Sequence, residues 1–409
     1  MSQKSVVLYL HVHQPYRVRP YTVFETAQSH DYFNASNSDV AVDNEQIFHK
    51  VADKSYRPMN AKLLELLHTH SDFKVSLSIT GTFIDQAQQW APDVLEDFKQ
   101  LVATGRVEIL AETYYHSLAF YYSKTEFEAQ VQLHTQKIQE IFNVTPIVFR
   151  GTELAYDNSV AHWAQAAGYK GILAEGWDGI LDWRSPGYVY QPPGTDSIGL
   201  LLKNYHLSDD IAFRFSNRAW SEWPLTADKF THWLHETDSD APLVNLFMDY
   251  ETFGEHQWSD TGIFDFFGDF VSAWCDVTDK PFLTVSDAFN ENQPVGELDV
   301  PDTVTWADSE RDLSAWTGND MQKEALKYLY ALEHDIVRTN DRQLIADWRN
   351  LQASDHVYYM STKWLADGDV HAYFSPYDSP YDAFLYYINV IRDLRWRLMK
   401  HHNTGRLHG

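Results

Sequence analysis

Residues 107–174 read VEILAETYYHSLAFYYSKTEFEAQVQLHTQKIQEIFNVTPIVFRGTELAYDNSVAHWAQAAGYKGILA, and the alternation within them decides the fold. Residues 107–111 are a short apolar run, the signature of a buried strand. Residues 124–142 carry apolar side chains at helical spacing and are broken by Thr145-Pro146. Residues 147–150 are again a strand, closed by Gly151; residues 160–167 are helical and stop at Gly168; residues 171–174 return to a strand. Strand, helix, strand, helix, strand in alternation means parallel strands joined by crossover helices.

The same pattern runs outward in both directions. Before it, residues 6–11 and 73–79 read as strands, 60–68 as a helix with leucines at helical spacing, and 91–104 as a helix ending at Gly105. After it, residues 200–202 and 243–248 read as strands, 264–275 as a helix and 282–284 as a last short strand. So many such units in series favour a barrel over an open sheet. The texture changes at Gln293-Pro294-Val295-Gly296-Glu297 and Val300-Pro301-Asp302, which mark a boundary. From Asp320 onward it is helical, with helices expected at 321–336, 342–353 and 381–400 and a polar tail at 401–409 expected to fray. The expectation is an α/β barrel over residues 1–295 followed by an α-helical region over 296–409.

Composition narrows the function by exclusion. The formal net charge is -26, which argues against nucleic acid and against an anionic membrane surface. Aromatic residues make up 15%, with 14 Trp and 24 Tyr, enough to fill a core and still line a sugar-binding groove with flat rings. Cys275 is the single cysteine, so no intramolecular disulfide forms, in keeping with a cytoplasmic protein. The N-terminal run reads as a strand and not as a signal peptide, and no stretch is apolar enough to span a membrane. The sequence sets no oligomeric state.

In a parallel α/β fold the carboxyl ends of the strands carry the site. His11, Gly81, Glu112, Gly151 and Asp249 all fall at or just after such an end. In Val148-Phe149-Arg150-Gly151-Thr152-Glu153-Leu154 a carboxylate lies past a strand and a glycine; alone, it is as well explained as an acid at a helix N-terminus. In Leu246-Phe247-Met248-Asp249-Tyr250-Glu251 an acid ends an apolar strand, where a bare carboxylate is costly unless paired or protonated. Glycosidic cleavage needs two carboxyl groups, one to protonate the leaving oxygen and one to attack the anomeric carbon or activate water. Glu153 and Asp249 are the candidate pair, with Glu251 a positioning group and Glu255 as readily a solvated loop charge. His11-Val12-His13 supports a rival reading: alternate residues on a strand point the same way, so the two imidazoles would share a metal in a metal-dependent hydrolase or deacetylase. His116, Asp85 and His206 offer further ligands but share no diagnostic spacing with them.

Taken together these segments resemble glycoside hydrolase family 57, in order along nearly the whole chain. The motifs are His13-Gln14-Pro15, preceded by His11; Gly81-Thr82-Phe83-Ile84-Asp85; Phe149-Arg150-Gly151-Thr152-Glu153-Leu154; Asp249-Tyr250-Glu251-Thr252-Phe253-Gly254; and Leu351-Gln352-Ala353-Ser354-Asp355-His356-Val357-Tyr358-Tyr359-Met360. The resemblance implies an incomplete (β/α)7 TIM-like barrel followed by a C-terminal α-helical region that closes part of the cleft. It implies a retaining mechanism on α-1,4-glucans with no metal or other cofactor, Glu153 as nucleophile and Asp249 as general acid/base. The wording around both acids is closest to the family's α-amylase branch, with 4-α-glucanotransferase or branching-type transglycosylase as the alternative. On this reading His11, His13, Glu112, Glu251 and Asp355 contact or support the sugar, and Trp220, Trp223 and Trp258 are candidate stacking platforms.

Overall fold

The computed structural model describes residues 4–34, 40–238, 240–277, 279–363 and 375–405. The chain divides into two compact units. The first comprises residues 1–13, 49–112 and 131–306, the second residues 14–48, 113–130 and 307–409.

The first unit is built on eight parallel strands: β1 (Ser5–Val12), β2 (Val75–Ile79), β3 (Val107–Ile109), β4 (Val148–Arg150), β5 (Gly171–Glu175), β6 (Gly199–Lys203), β7 (Leu243–Asp249) and β8 (Phe282–Leu283). They pair in the order β3-β2-β1-β7 and, separately, β4-β5-β6. Ala111, just past β3, bridges to Phe149 on β4. The main-chain N–H of Asn204, just past β6, donates to Asn245 on β7 at 2.9 Å. These two links carry the sheet round through seven strands in sequence order, a (β/α)7 barrel. The short β8 pairs alongside the first half of β1, Val6 with Phe282 and Val7 with Leu283.

The strands are buried on both faces, which is why they read as nearly unbroken apolar runs. The interior follows the two-residue period of a strand. Tyr9, Leu110, Val148, Leu173, Leu201 and Phe247 belong to one buried cluster. Two positions further along stand His11, Glu112, Arg150, Glu175, Lys203 and Asp249. A layer of charged and polar groups therefore sits directly above an apolar layer, at the carboxyl ends of the strands. Phe289 packs against the same apolar cluster from the other side. Gly171 and Gly199, the first residues of β5 and β6, leave room for its ring, since a Cβ at either position would run into it.

Expected and observed elements agree closely over residues 124–142 and for all strands, whose ends shift by a residue or two. Four differences are informative. The helix Gly81–Trp90 starts directly after β2, capped by the Thr80 hydroxyl, in a stretch read as a bare strand end. The helix Ala227–Glu236, capped by Thr226, was not expected either. The span 321–336 is two helices, Asp320–Tyr330 and Glu333–Thr339. The last helix, Pro380–Gly405, runs through half of the tail expected to fray; residues 406–409 lie outside those described.

The second unit is held by buried polar networks as well as by Trp316, Trp348 and Leu329. Arg349 makes a two-pronged contact with Glu126, at 2.9 and 3.0 Å. Asp393 accepts from the main chain of Ala27 and shares a bond with His30, each at 2.6 Å. Among the described residues no helix is long and apolar enough to cross a membrane.

Candidate active site

The site grows from the charged layer of the barrel. Tyr9 Oη and Ser78 Oγ lie 2.6 Å apart, and Ser78 Oγ lies 2.7 Å from His11 Nδ1. The same His11 nitrogen is 3.7 Å from Glu112 Oε1, and Glu112 Oε2 is 3.7 Å from Arg150 Nη1. His11 and Glu112 are buried, and Arg150 is wholly so. Burial works against the Arg150 charge, but Tyr9, Glu112, Glu153 and Asp249 outweigh it and hold the guanidinium above its ordinary pKa. Both candidate carboxylates are thus electrostatic neighbours of one buried cation.

Glu153 and Asp249 are carried by different strands. Asp249 is the last residue of β7 and the register partner of His11 on β1. It follows Leu243, Asn245 and Phe247 on the inward row, so the alternation that fills the barrel also aims the acid. Glu153 lies in the short turn Thr152–Leu154 after β4. Gly151 is required there by proximity, because a Cβ would collide with the carbonyl oxygen of Ala155. The unusual backbone falls on the acid itself: Glu153 has φ 60 and Leu154 φ 52, left-handed values that cost a residue with a side chain on the order of 1–3 kcal/mol. Such a conformation persists only where its surroundings impose it. One of them is identifiable: the Trp306 main-chain N–H donates to the Glu153 carbonyl at 3.2 Å. The Trp306 indole Nε1–H donates to Glu153 Oε2 at 2.7 Å. The indole lies under the Arg150 guanidinium, 5.0 Å from the ring centre, and the Lys203 ammonium is 5.6 Å from the same centre. Lys203 is itself 3.7 Å from Glu175 and 3.0 Å from Asp209.

The two histidines stack, ring centres 5.8 Å apart and planes 19° from parallel. His13 Nδ1 pairs with Thr80 Oγ1 at 2.9 Å, as His11 pairs with Ser78. Anchored imidazoles of this kind suit hydrogen bonds to sugar hydroxyls, and a metal ligand is oriented in the same manner.

Glu251, two residues beyond Asp249, is buried. Its Oε1 accepts from the Tyr56 hydroxyl at 2.6 Å and from the His13 main-chain N–H at 3.4 Å. Burial, reinforced by the charge of Asp249, pushes its pKa up to about 8 against these hydrogen bonds. The carboxyl is therefore neutral in the folded chain across a range where it is ionised in the unfolded one. As pH rises from about 4.5 towards about 8, this group progressively withdraws stability. Glu251→Gln, neutral throughout, is expected to gain melting temperature relative to the parent between pH 5 and pH 8. Parallel melting curves for the two proteins over that range would refute the burial argument.

Gly254 lets the loop after Glu251 pass over the main chain of Lys54, with φ 108. Glu255, read as readily a solvated loop charge as a positioning group, is largely covered and pairs with Lys50 at 2.8 Å and Lys54 at 3.3 Å. Trp220 meets Trp233 edge to face with centres 6.0 Å apart, in an open groove of about 640 Å³ lined also by Asp210, Arg214 and Glu222. Trp223 and Trp258 are exposed. Asp355 stands in the first turn of the helix Ser354–Tyr358, in the second unit. Trp306, Arg150, Lys203 and Glu175 were not singled out from the sequence. The available signal was a charge closing an apolar run, as in Val148-Phe149-Arg150 and Leu200-Leu201-Leu202-Lys203.

The family model described as glycosyl hydrolase family 57 matches residues 7–301. A protein of Methanocaldococcus jannaschii that carries the name "Putative alpha-amylase" is 41% identical over 396 residues, covering 94% of this chain and 83% of its own. The fold is similar to that of a family 57 branching enzyme from Pyrococcus horikoshii, with TM-score 0.69 at 16% identity, over 91% of this chain and 87% of that one. It is similar to the α-amylase AmyC from Thermotoga maritima, with TM-score 0.64 at 13% identity, over 99% and 94%.

Proposed function

The chain belongs to glycosyl hydrolase family 57, and from that premise we propose an α-amylase-type enzyme that cleaves α-1,4-glucans with retention of anomeric configuration. Glu153, ionised, attacks the anomeric carbon, while Asp249, protonated, gives its proton to the departing glycosidic oxygen. Water then enters with Asp249 as base and releases the sugar from Glu153. The observation that supports these roles best is the placement of Glu153 just past β4 and of Asp249 at the end of β7, each acting electrostatically on the buried Arg150. Both side chains are only partly buried, while Glu112 and Glu251 behind them are closed off. The two acids therefore have access to substrate, and the others are left to support. His11 and His13 hydrogen-bond hydroxyls of the sugar beside the cut. The acidic composition and lone cysteine support a neutral glucan as substrate and the cytosol as location.

Product analysis tests the reading. Maltoheptaose is expected to be shortened, and the first products, read by NMR before mutarotation, are expected as α-anomers. Chains longer than the substrate would mean a glucanotransferase or branching activity, and β-anomers would remove the double displacement. Full activity after exhaustive chelation is expected; loss restored by added zinc would turn the His11–His13 pair into metal ligands.

A further inference from the structure

We propose that Trp306 is a positioning residue for Glu153: its indole N–H fixes one carboxylate oxygen, keeps the group ionised, and leaves the other oxygen to attack. This rests on the assignment of Glu153 as nucleophile. Trp306 lies beyond residues 7–301, the extent of the family match, in an irregular stretch without periodicity.

Three observations converge on it. The first is the 2.7 Å bond from Nε1 to Glu153 Oε2, a neutral donor on a charged acceptor, which favours the ionised form. The second is the 3.2 Å main-chain bond to the Glu153 carbonyl, which ties Trp306 to the left-handed turn that carries the acid. One residue thus holds both the backbone and the side chain of the proposed nucleophile. The third is the setting of the ring. It packs against the buried apolar cluster of the barrel, stands edge-on to His11 with centres 6.4 Å apart, and faces Arg150 and Lys203. Cations over an indole draw density from its π system, and the N–H becomes a stronger donor as a result. Arg150 and Lys203 thereby act on Glu153 through the indole.

The chemical consequence is specific. Attack by Glu153 forms a bond from one carboxylate oxygen to the anomeric carbon as the bond to the leaving oxygen breaks and that oxygen takes the Asp249 proton. The second oxygen, Oε2, becomes the ester carbonyl and retains the Trp306 hydrogen bond. When water reverses the step, the electron pair returns to the carboxylate, and the same N–H receives the restored charge. The donor therefore serves both halves of the double displacement.

The test is Trp306→Phe, which keeps a ring and loses the N–H, alongside Trp306→His, which keeps a ring N–H. For Trp306→Phe, kcat on maltoheptaose is expected to fall roughly tenfold to hundredfold with little change in KM, the worth of a hydrogen bond to a charged group. The acidic limb of kcat/KM is expected to move up by about one pH unit, because Glu153 protonates more easily without its donor. Trp306→His is expected to recover part of both. Should Trp306→Phe fail to fold, Trp306→Leu, which also lacks the donor, takes its place, and an unmoved or lowered acidic limb there overturns the idea equally well. A lower melting temperature with an unmoved acidic limb would reduce Trp306 to packing and sink the proposal. Failure of the underlying assignment looks different: there Glu153→Gln would remain active.

Discussion

Glu153→Gln is expected to lower turnover of maltooligosaccharides by roughly 10⁴-fold or more, while the variant still binds them. The amide keeps the shape and hydrogen-bonding reach of the carboxylate but has no charge to form the glycosyl bond. Arg150 remains, now facing one negative neighbour fewer, so the fold is expected to tolerate the change. A sharper form of the experiment removes the side chain and supplies a substitute. Glu153→Ala with added azide is expected to convert an α-linked substrate into the β-glycosyl azide, the small anion occupying the face that the carboxylate vacated. Appreciable hydrolysis by Glu153→Gln, or an α-azide from Glu153→Ala, would take the nucleophile's role away from this residue.

Asp249→Asn is expected to separate substrates by their leaving groups. On maltooligosaccharides, whose departing hydroxyl must be protonated, the loss is expected at about 10²–10⁴-fold, the range of general acid catalysis. On α-maltosyl fluoride, whose leaving group departs unassisted, formation of the glycosyl-enzyme is expected to stay within about tenfold of the parent. Its breakdown still needs the missing base, so a burst of fluoride followed by a slow phase should appear, and azide should abolish the slow phase. An equal loss on both substrates with no burst would show that Asp249 holds structure and not a proton. The register supports the first outcome, because Asp249 ends a row of inward side chains whose packing is complete at Phe247, one step below.

The legibility of the molecule follows from the same physics. Strands buried on both faces must be apolar at every position, so residues 5–12 and 243–249 are recognisable from composition alone. The long helix Lys124–Phe142 is periodic over its whole length and bounded by Pro146. The helix Gly81–Trp90 escaped because it opens with glycine and begins where β2 stops, and its cap, Thr80, passes equally well for the end of a strand. The break in 321–336 falls at Ala331-Leu332, where neither residue is a breaker. The candidate acids were visible because their motifs are local. Arg150 was visible in principle, as a charge that an apolar strand tolerates only with a partner. Trp306 was not, since what distinguishes it from the other tryptophans is a contact 153 positions away.

The seven-residue register between β1 and β7 has a consequence for biosynthesis. One long side of the first strand stays uncovered until the ribosome has delivered residues 243–249, 238 positions beyond their partners 5–11. Until then the growing sheet exposes a flat, greasy border with open main-chain donors and acceptors, a template on which a neighbouring nascent polypeptide can dock. Closure across so large a loop is also slow. That exposed border is the cost of closing a barrel between the first strand and the seventh, and it ends only when residues 243–249 pair with residues 5–11.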